Sequence, residues 1–223
     1  QEWEAAIMRQ WGAVYERIIS RVLLGLCLLL CPSALAQHAE GAWVGEFREL
    51  NPQLTESDVA AHALVAIKDN RLHVSLLASG LPAGMRLAHI HGFVNNDAAH
   101  CPDETADANG DGIVDLLETE EVAGTTLIPF HFELAKVDVL ESDTYPEASE
   151  EGGILVYSAS TSADRLASAL ADNFSIVHWD LGSRVIFIHG AAEGVELPDT
   201  VQSLPGVPAE ATVPIACAEL KEL

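Results

Sequence analysis

His89 and His91 are separated by a single residue. On a β-strand that spacing sends both imidazoles to one face, near enough to share an ion. Two nitrogens from one strand are half of a metal site, and copper and zinc are the expected ions for imidazole ligands. His189 ends the strand-like run Arg184-Val185-Ile186-Phe187-Ile188-His189 and offers a third nitrogen. His100 and His131 are the candidates for a fourth. A second constellation lies between them in the chain. From Asp107 to Glu118, oxygen side chains occupy positions 1, 3, 5, 9 and 12 of a twelve-residue loop, with Gly112 at position 6. Calcium takes six to eight hard oxygen ligands around a sharp turn. The spacing supplies them from Asp107, Asn109, Asp111, Asp115 and Glu118, with the Ile113 carbonyl at position 7.

These groups need strands and turns to hold them. Ala63, Val65 and Ile67 alternate with His62, Leu64 and Ala66. Asp69-Asn70 then turns the chain into Leu72-His73-Val74-Ser75-Leu76, which is a hairpin signal. Leu81-Pro82-Ala83-Gly84 leads into the strand carrying His89 and His91. Further strands are expected over Ala42–Phe47, Thr126–Leu134, Ile154–Ser158, Ser175–Trp179, Arg184–His189 and Val213–Leu220. One short helix is expected from Ala163 to Ala171, with a half-turn over Leu116–Val122. Residues 143–153 and 196–211 read as exposed loops, and Trp43 and Trp179 as packing residues. Many short strands separated by turn residues point to an all-β, antiparallel sandwich or barrel.

The apolar run Val22–Leu30 follows Arg17 and Arg21 and precedes Pro32-Ser33-Ala34-Leu35-Ala36. It has the form of a secretory signal cleaved before Gln37, and it is too short to span a bilayer. Met8 would be the start, making residues 1–7 an upstream artefact. Lipidation at Cys31 is the rival reading, opposed by bulky Leu30. Residues 37–223 then form one domain, with no second candidate span. The leader holds equal numbers of acidic and basic residues, so its loss leaves the formal charge of −23 intact. Such a surface repels nucleic acid and anionic lipid and attracts cations. No protein partner is indicated. Of the four cysteines, Cys27 and Cys31 leave with the signal. Cys101 and Cys217 remain, and in an oxidising compartment they suggest one disulfide.

Residues Arg71–Phe93, with the Gly80-Leu81 loop and His89-Ile90-His91, resemble the corresponding segment of copper-zinc superoxide dismutases and of the related CHRD domains. Ser183–His189 resembles the strand with the last copper histidine, and Ile215-Ala216-Cys217 the final cysteine strand. The resemblance implies an eight-stranded Greek-key sandwich, a Cys101–Cys217 disulfide, and copper on His89, His91 and His189. The dismutase zinc ligands have no counterpart, because the calcium loop stands in their place, so no zinc site is expected. Nor is there a basic residue over Ala211–Ala216 to guide an anion. The expected function is a secreted or periplasmic metal-binding module. The alternatives are a copper-only superoxide dismutase and a CHRD-type non-catalytic interaction module.

Overall fold

The computed structural model describes residues 39–140 and 144–223. The expected signal sequence, the reading of residues 1–7, Cys31 and the first residue of the expected 143–153 loop lie outside them. Strands β3 (Ala60–Lys68) and β4 (Arg71–Ser79) follow β1 (Gly41–Glu46) and β2 (Arg48–Glu49), and they form the expected hairpin. Lys68 pairs with Arg71 across a two-residue turn in which Asp69 and Asn70 both have positive φ, 49° and 57°. That is the turn whose twist matches paired strands. Alternate residues Ala61, Ala63, Val65 and Ile67, facing Leu72, Val74, Leu76 and Ala78, are buried, so period two becomes one wall of the core.

The remaining strands are β5 (Gly84–Met85), β6 (Ala88–Gly92), β7 (Thr125–Pro129), β8 (Glu147–Ala148), β9 (Leu155–Ser162), β10 (Val185–His189) and β11 (Pro214–Glu222). The main sheet runs β7-β6-β10-β11-β1-β3-β4-β9, every neighbour antiparallel, with β2 also on β11 and β5 paired to β8. β11 is the hinge of the fold. Its residues 214–219 pair with β10 and residues 220–222 with β1, so one strand joins the two halves of the sheet that cover the main core. The chain leaves β4 for β6 and β7 and returns at β9 beside β4, the Greek-key path expected of this all-β sandwich.

β6 and β10 are buried on both faces. Ile90, Ile186 and Ile188 point into the main core. On the other face a smaller cluster, including Leu50, Ala99, Ala123, Val185 and Phe187, is closed by the Cys101–Cys217 disulfide. The bridge has a Cα–Cα distance of 5.7 Å and spans 116 residues, tying the long segment after β6 to the last strand.

Four expectations need correction. More than one helix forms: α1 (Leu116–Ala123), α2 (Ala163–Phe174) and the short α3 (Ala209–Thr212). The strand expected over Ser175–Trp179 is absent. Ser175 instead caps α2 in the left-handed region (φ 60°), and Val177 is 92% exposed. The strand expected over Thr126–Leu134 stops at Pro129, so His131 sits in the loop beyond it. Residues 144–153 are also not wholly exposed, since β8 lies within them and Tyr145 and Ala148 are buried.

Candidate metal centre

His89 and His91 face outward from the main core on β6, opposite Phe187 and Val185 of β10. The His189 amide donates to the Leu87 carbonyl at 2.8 Å, which sets His189 diagonally beside His89. Both ladders are irregular at the histidines. β6–β7 pairing shifts register between Ile90 and His91, and β10–β11 pairing shifts between Ile188 and His189. Such irregularities re-aim side chains. One ring nitrogen from each of His89, His91 and His189 lies within 4.8 Å of the others. Ring centroids are 5.0 to 5.8 Å apart, and the three residues are 5%, 2% and 1% exposed.

Hydrogen bonds fix which nitrogen each ring turns inward. Burial, then Asp138 and Tyr157, pushes the Tyr145 phenol up from its ordinary value, so it keeps its proton. Its O–H donates to the Val139 carbonyl at 3.2 Å. The 2.7 Å contact with His89 therefore has Nε2–H of His89 donating to the phenol oxygen, which leaves the lone pair on Nδ1. His189 donates Nδ1–H to the Thr212 carbonyl at 2.7 Å, leaving the lone pair on Nε2. His91 donates Nδ1–H to the Gly124 carbonyl at 3.4 Å, and its Nε2 accepts from the Thr126 hydroxyl at 2.9 Å. His89 Nδ1 and His189 Nε2 are buried, and among the described residues neither has a hydrogen-bond partner. A buried polar atom left unsatisfied is uncommon and needs an explanation.

Electrostatics keep the rings neutral. Burial first, then His189, His91 and His131, holds His89 well below the usual imidazole range. His91 is pushed down to about 3 by burial and then by His189, against an opposing pull from the Gly124 carbonyl. Burial lowers His189 to about 4, with the Thr212 carbonyl opposing. Neutral imidazoles are what a transition metal requires of its ligands. His89 and His189 each offer a lone pair without a partner among the described residues, and His91 Nε2 would exchange the Thr126 hydroxyl for an ion. The partners on the outer nitrogens are the kind that fix ring orientation around an ion. A cleft of about 1200 Å³ opens onto the three rings.

Neither candidate for a fourth ligand joins them. His100 is exposed and pairs with Glu219 Oε1 at 3.3 Å. His131 is buried, but its Nδ1 accepts from the Thr144 hydroxyl and its Nε2–H donates to the Asp138 carbonyl at 2.9 Å. Its place is beside Tyr145, with ring centroids 4.4 Å apart. Tyr145, Thr126 and Thr212, which orient the triad, were not among the expected site residues. They come from loops and neighbouring strands, and no sequence spacing marks them.

The Asp107–Glu118 loop turns through two glycines with positive φ, 76° at Gly110 and 86° at Gly112. Its carboxylates are turned onto its own amides. Asp107 accepts from Gly110, Asp111 and Gly112, and Glu118 accepts from Ala108, Asn109 and Asp115. Asp111 Oδ2 accepts from the Thr200 hydroxyl at 2.6 Å. The Ile113 side chain is packed into the core. Asp115 is fully buried and committed twice. Oδ1 caps α1 at Leu117 and Glu118, while Oδ2 accepts from the Gln202 amide. Asp115 and Glu118 form a reciprocal capping box. Among the described residues, the three histidines are the cluster whose ligand atoms converge.

Among those residues, no helix is long and apolar enough to cross a membrane. No protein-family model and no curated protein matches the chain. Among solved structures it is similar to one described as "Crystal Structure Analysis of the clock protein EA4". The identity is 14% and the TM-score 0.37, over 82% of this chain and 96% of that one. A likeness at that level carries no functional argument.

Proposed function

We propose that this chain is a secreted metal-binding β-sandwich, cleaved after Ala36, that holds copper on His89, His91 and His189 and calcium in the 107–118 loop. One observation carries the copper site: two buried imidazole lone pairs, on His89 Nδ1 and His189 Nε2, have no hydrogen-bond partner and converge with His91 within 4.8 Å. Imidazole is a preferred donor for copper and zinc. Copper is favoured because the dismutase resemblance assigns these histidines to it. The Greek-key sandwich and the disulfide that the same resemblance implies are both present. Calcium rests on the spacing of the loop and on the left-handed turn at Gly112. Its affinity would fall in the range of extracellular modules, roughly 10⁻⁴ to 10⁻³ M.

The test is metal content by mass spectrometry on protein purified without chelator, and again after loading and desalting. About one copper ion per chain is expected, lost in His89→Ala and His189→Ala variants that stay folded by circular dichroism. Retention of calcium alone would overturn the copper site and leave a calcium-stabilised interaction module. Calcium is expected to raise the melting temperature of the parent protein, and of Glu118→Ala much less. A calcium response that Glu118→Ala leaves intact would overturn the loop assignment.

The cleft favours a second reading, a copper-only superoxide dismutase, because the three histidines line it and bound copper would stand at its base. Bound copper would supply one-electron redox chemistry. The chain would hold the ion on three neutral imidazoles and fix their orientation through Tyr145, Gly124 and Thr212. Superoxide turnover above that of free copper, abolished in His189→Ala, would establish the enzyme. Equality with free copper would leave a carrier.

A further inference from the structure

The cleft above the three imidazoles is far larger than an ion or a diatomic molecule needs. Open to solvent on one side, it has a volume of about 1200 Å³. One water takes roughly 30 Å³ of liquid, and small-molecule pockets run from roughly 300 to 1,000 Å³. Its apolar walls come from separate stretches of chain: Leu116 at the head of α1, Val137 and Leu140 after β7, Phe174 at the end of α2, and Leu204 and Val207 before α3. Leu140 is 62% exposed at this site, so an aliphatic side chain meets water where a ligand's apolar body would cover it. At the floor lie the buried, unpartnered nitrogens of His89 and His189. The charged residues around it are Glu120, Asp138 and Lys136, and the chain as a whole carries a formal charge of −23. An anionic ligand therefore meets repulsion, while a neutral or cationic one does not.

We propose that this cleft binds an uncharged or cationic organic molecule. Its apolar, ring-sized body lies against Leu116, Leu140 and Val207, and a single lone-pair head group reaches the ion held by the three histidines. The proposal rests on the metal reading above. It assigns the size and polarity of the molecule that approaches the ion, which that reading leaves open. An apolar cleft with a few convergent polar groups at its base is the usual form of a small-molecule site.

The probes are imidazole, 4-phenylimidazole and azide, titrated calorimetrically into the copper-loaded full chain, with copper content measured on the same samples. Relative to their ratio for free copper, 4-phenylimidazole is expected to bind at least about tenfold more tightly than imidazole, with azide the weakest. In Leu140→Asp/Val207→Asp protein that retains copper, this preference should shrink below about threefold. Leu140→Ser, at an exposed position, serves if the double variant does not fold. Loaded protein that takes imidazole and 4-phenylimidazole equally, or takes azide most tightly, overturns the proposal while leaving the metal site standing. So does a preference that survives the substitutions. Protein that retains no copper is a separate result, and it removes the metal reading and this proposal together.

Discussion

Tyr145 decides which nitrogen of His89 faces the other two histidines. Its proton is committed to Val139, so its oxygen takes the His89 Nε2–H, and Nδ1 is left bare. Tyr145→Phe removes that acceptor without removing the ring, and the proton on His89 is then free to move to Nδ1. Copper affinity is expected to fall about ten- to a hundredfold, as it does when other outer partners of metal-bound histidines are lost. Competition with a chelator measures it. The ¹⁵N shifts of the His89 ring in metal-free protein report the tautomer independently. Unchanged affinity with unchanged shifts would show that Tyr145 only packs. The triad itself was legible in the sequence, because period two on a strand puts residues 89 and 91 on one face whatever surrounds them. Tyr145 was not, because its bond to His89 spans 56 residues and depends on how a loop is laid down. His131 misled for a related reason. It lies among apolar residues as a ligand would, but its strand ends at Pro129, and its nitrogens are taken by Thr144 and Asp138.

At the scale of elements, two glycines with left-handed backbones separate the loop from the triad. Gly112 has φ of 86° and open space where a Cβ would go. Gly112→Ala should therefore cost only the backbone strain, about 1–2 kcal/mol. Gly124 ends α1 with φ of 69°, and a Cβ there would stand 2.3 Å from the Gly92 carbonyl oxygen on the histidine strand. Gly124→Ala must push α1 away from β6, at a cost of about 3 kcal/mol or more. Because the Gly124 carbonyl also holds His91, copper retention should drop in that variant and persist in Gly112→Ala. Urea midpoints and metal content measure both, and equal effects would refute the distinction. The β3–β4 hairpin could be read directly, since alternation and Asp69-Asn70 agree on it. Asp115 and Glu118 could not be resolved so simply. One Asp-x-x-Glu pattern serves both positions 9 and 12 of a calcium loop and a helix capping box, and residue spacing does not separate the two. The strand expected over Ser175–Trp179 failed because a non-glycine residue, Ser175, takes the left-handed cap that ends α2.

The molecule as a whole sets two electrostatic trends against each other as pH falls. A formal charge of −23 makes the native chain repel itself, and protonation of carboxylates below neutrality relieves that strain. The buried triad acts in the opposite direction. In the unfolded chain a histidine gains its proton near pH 6.5, whereas folding lowers His189 to about 4 and His91 to about 3. Between those values the unfolded state binds more protons, so stability rises with pH and is lost as pH drops below about 6.5. For metal-free protein at pH 5, His91 and His189 should each remove about 2 kcal/mol relative to neutral pH. Total stability mixes this loss with the carboxylate gain, so the useful comparison is with His189→Gln, whose surface charge at neutral pH is the same. The parent should lose about 2 kcal/mol more than the variant between pH 7 and pH 5 in urea unfolding. Identical pH slopes would mean that His189 takes its proton in the folded state. The same burial that keeps its lone pair free for an ion would then be absent.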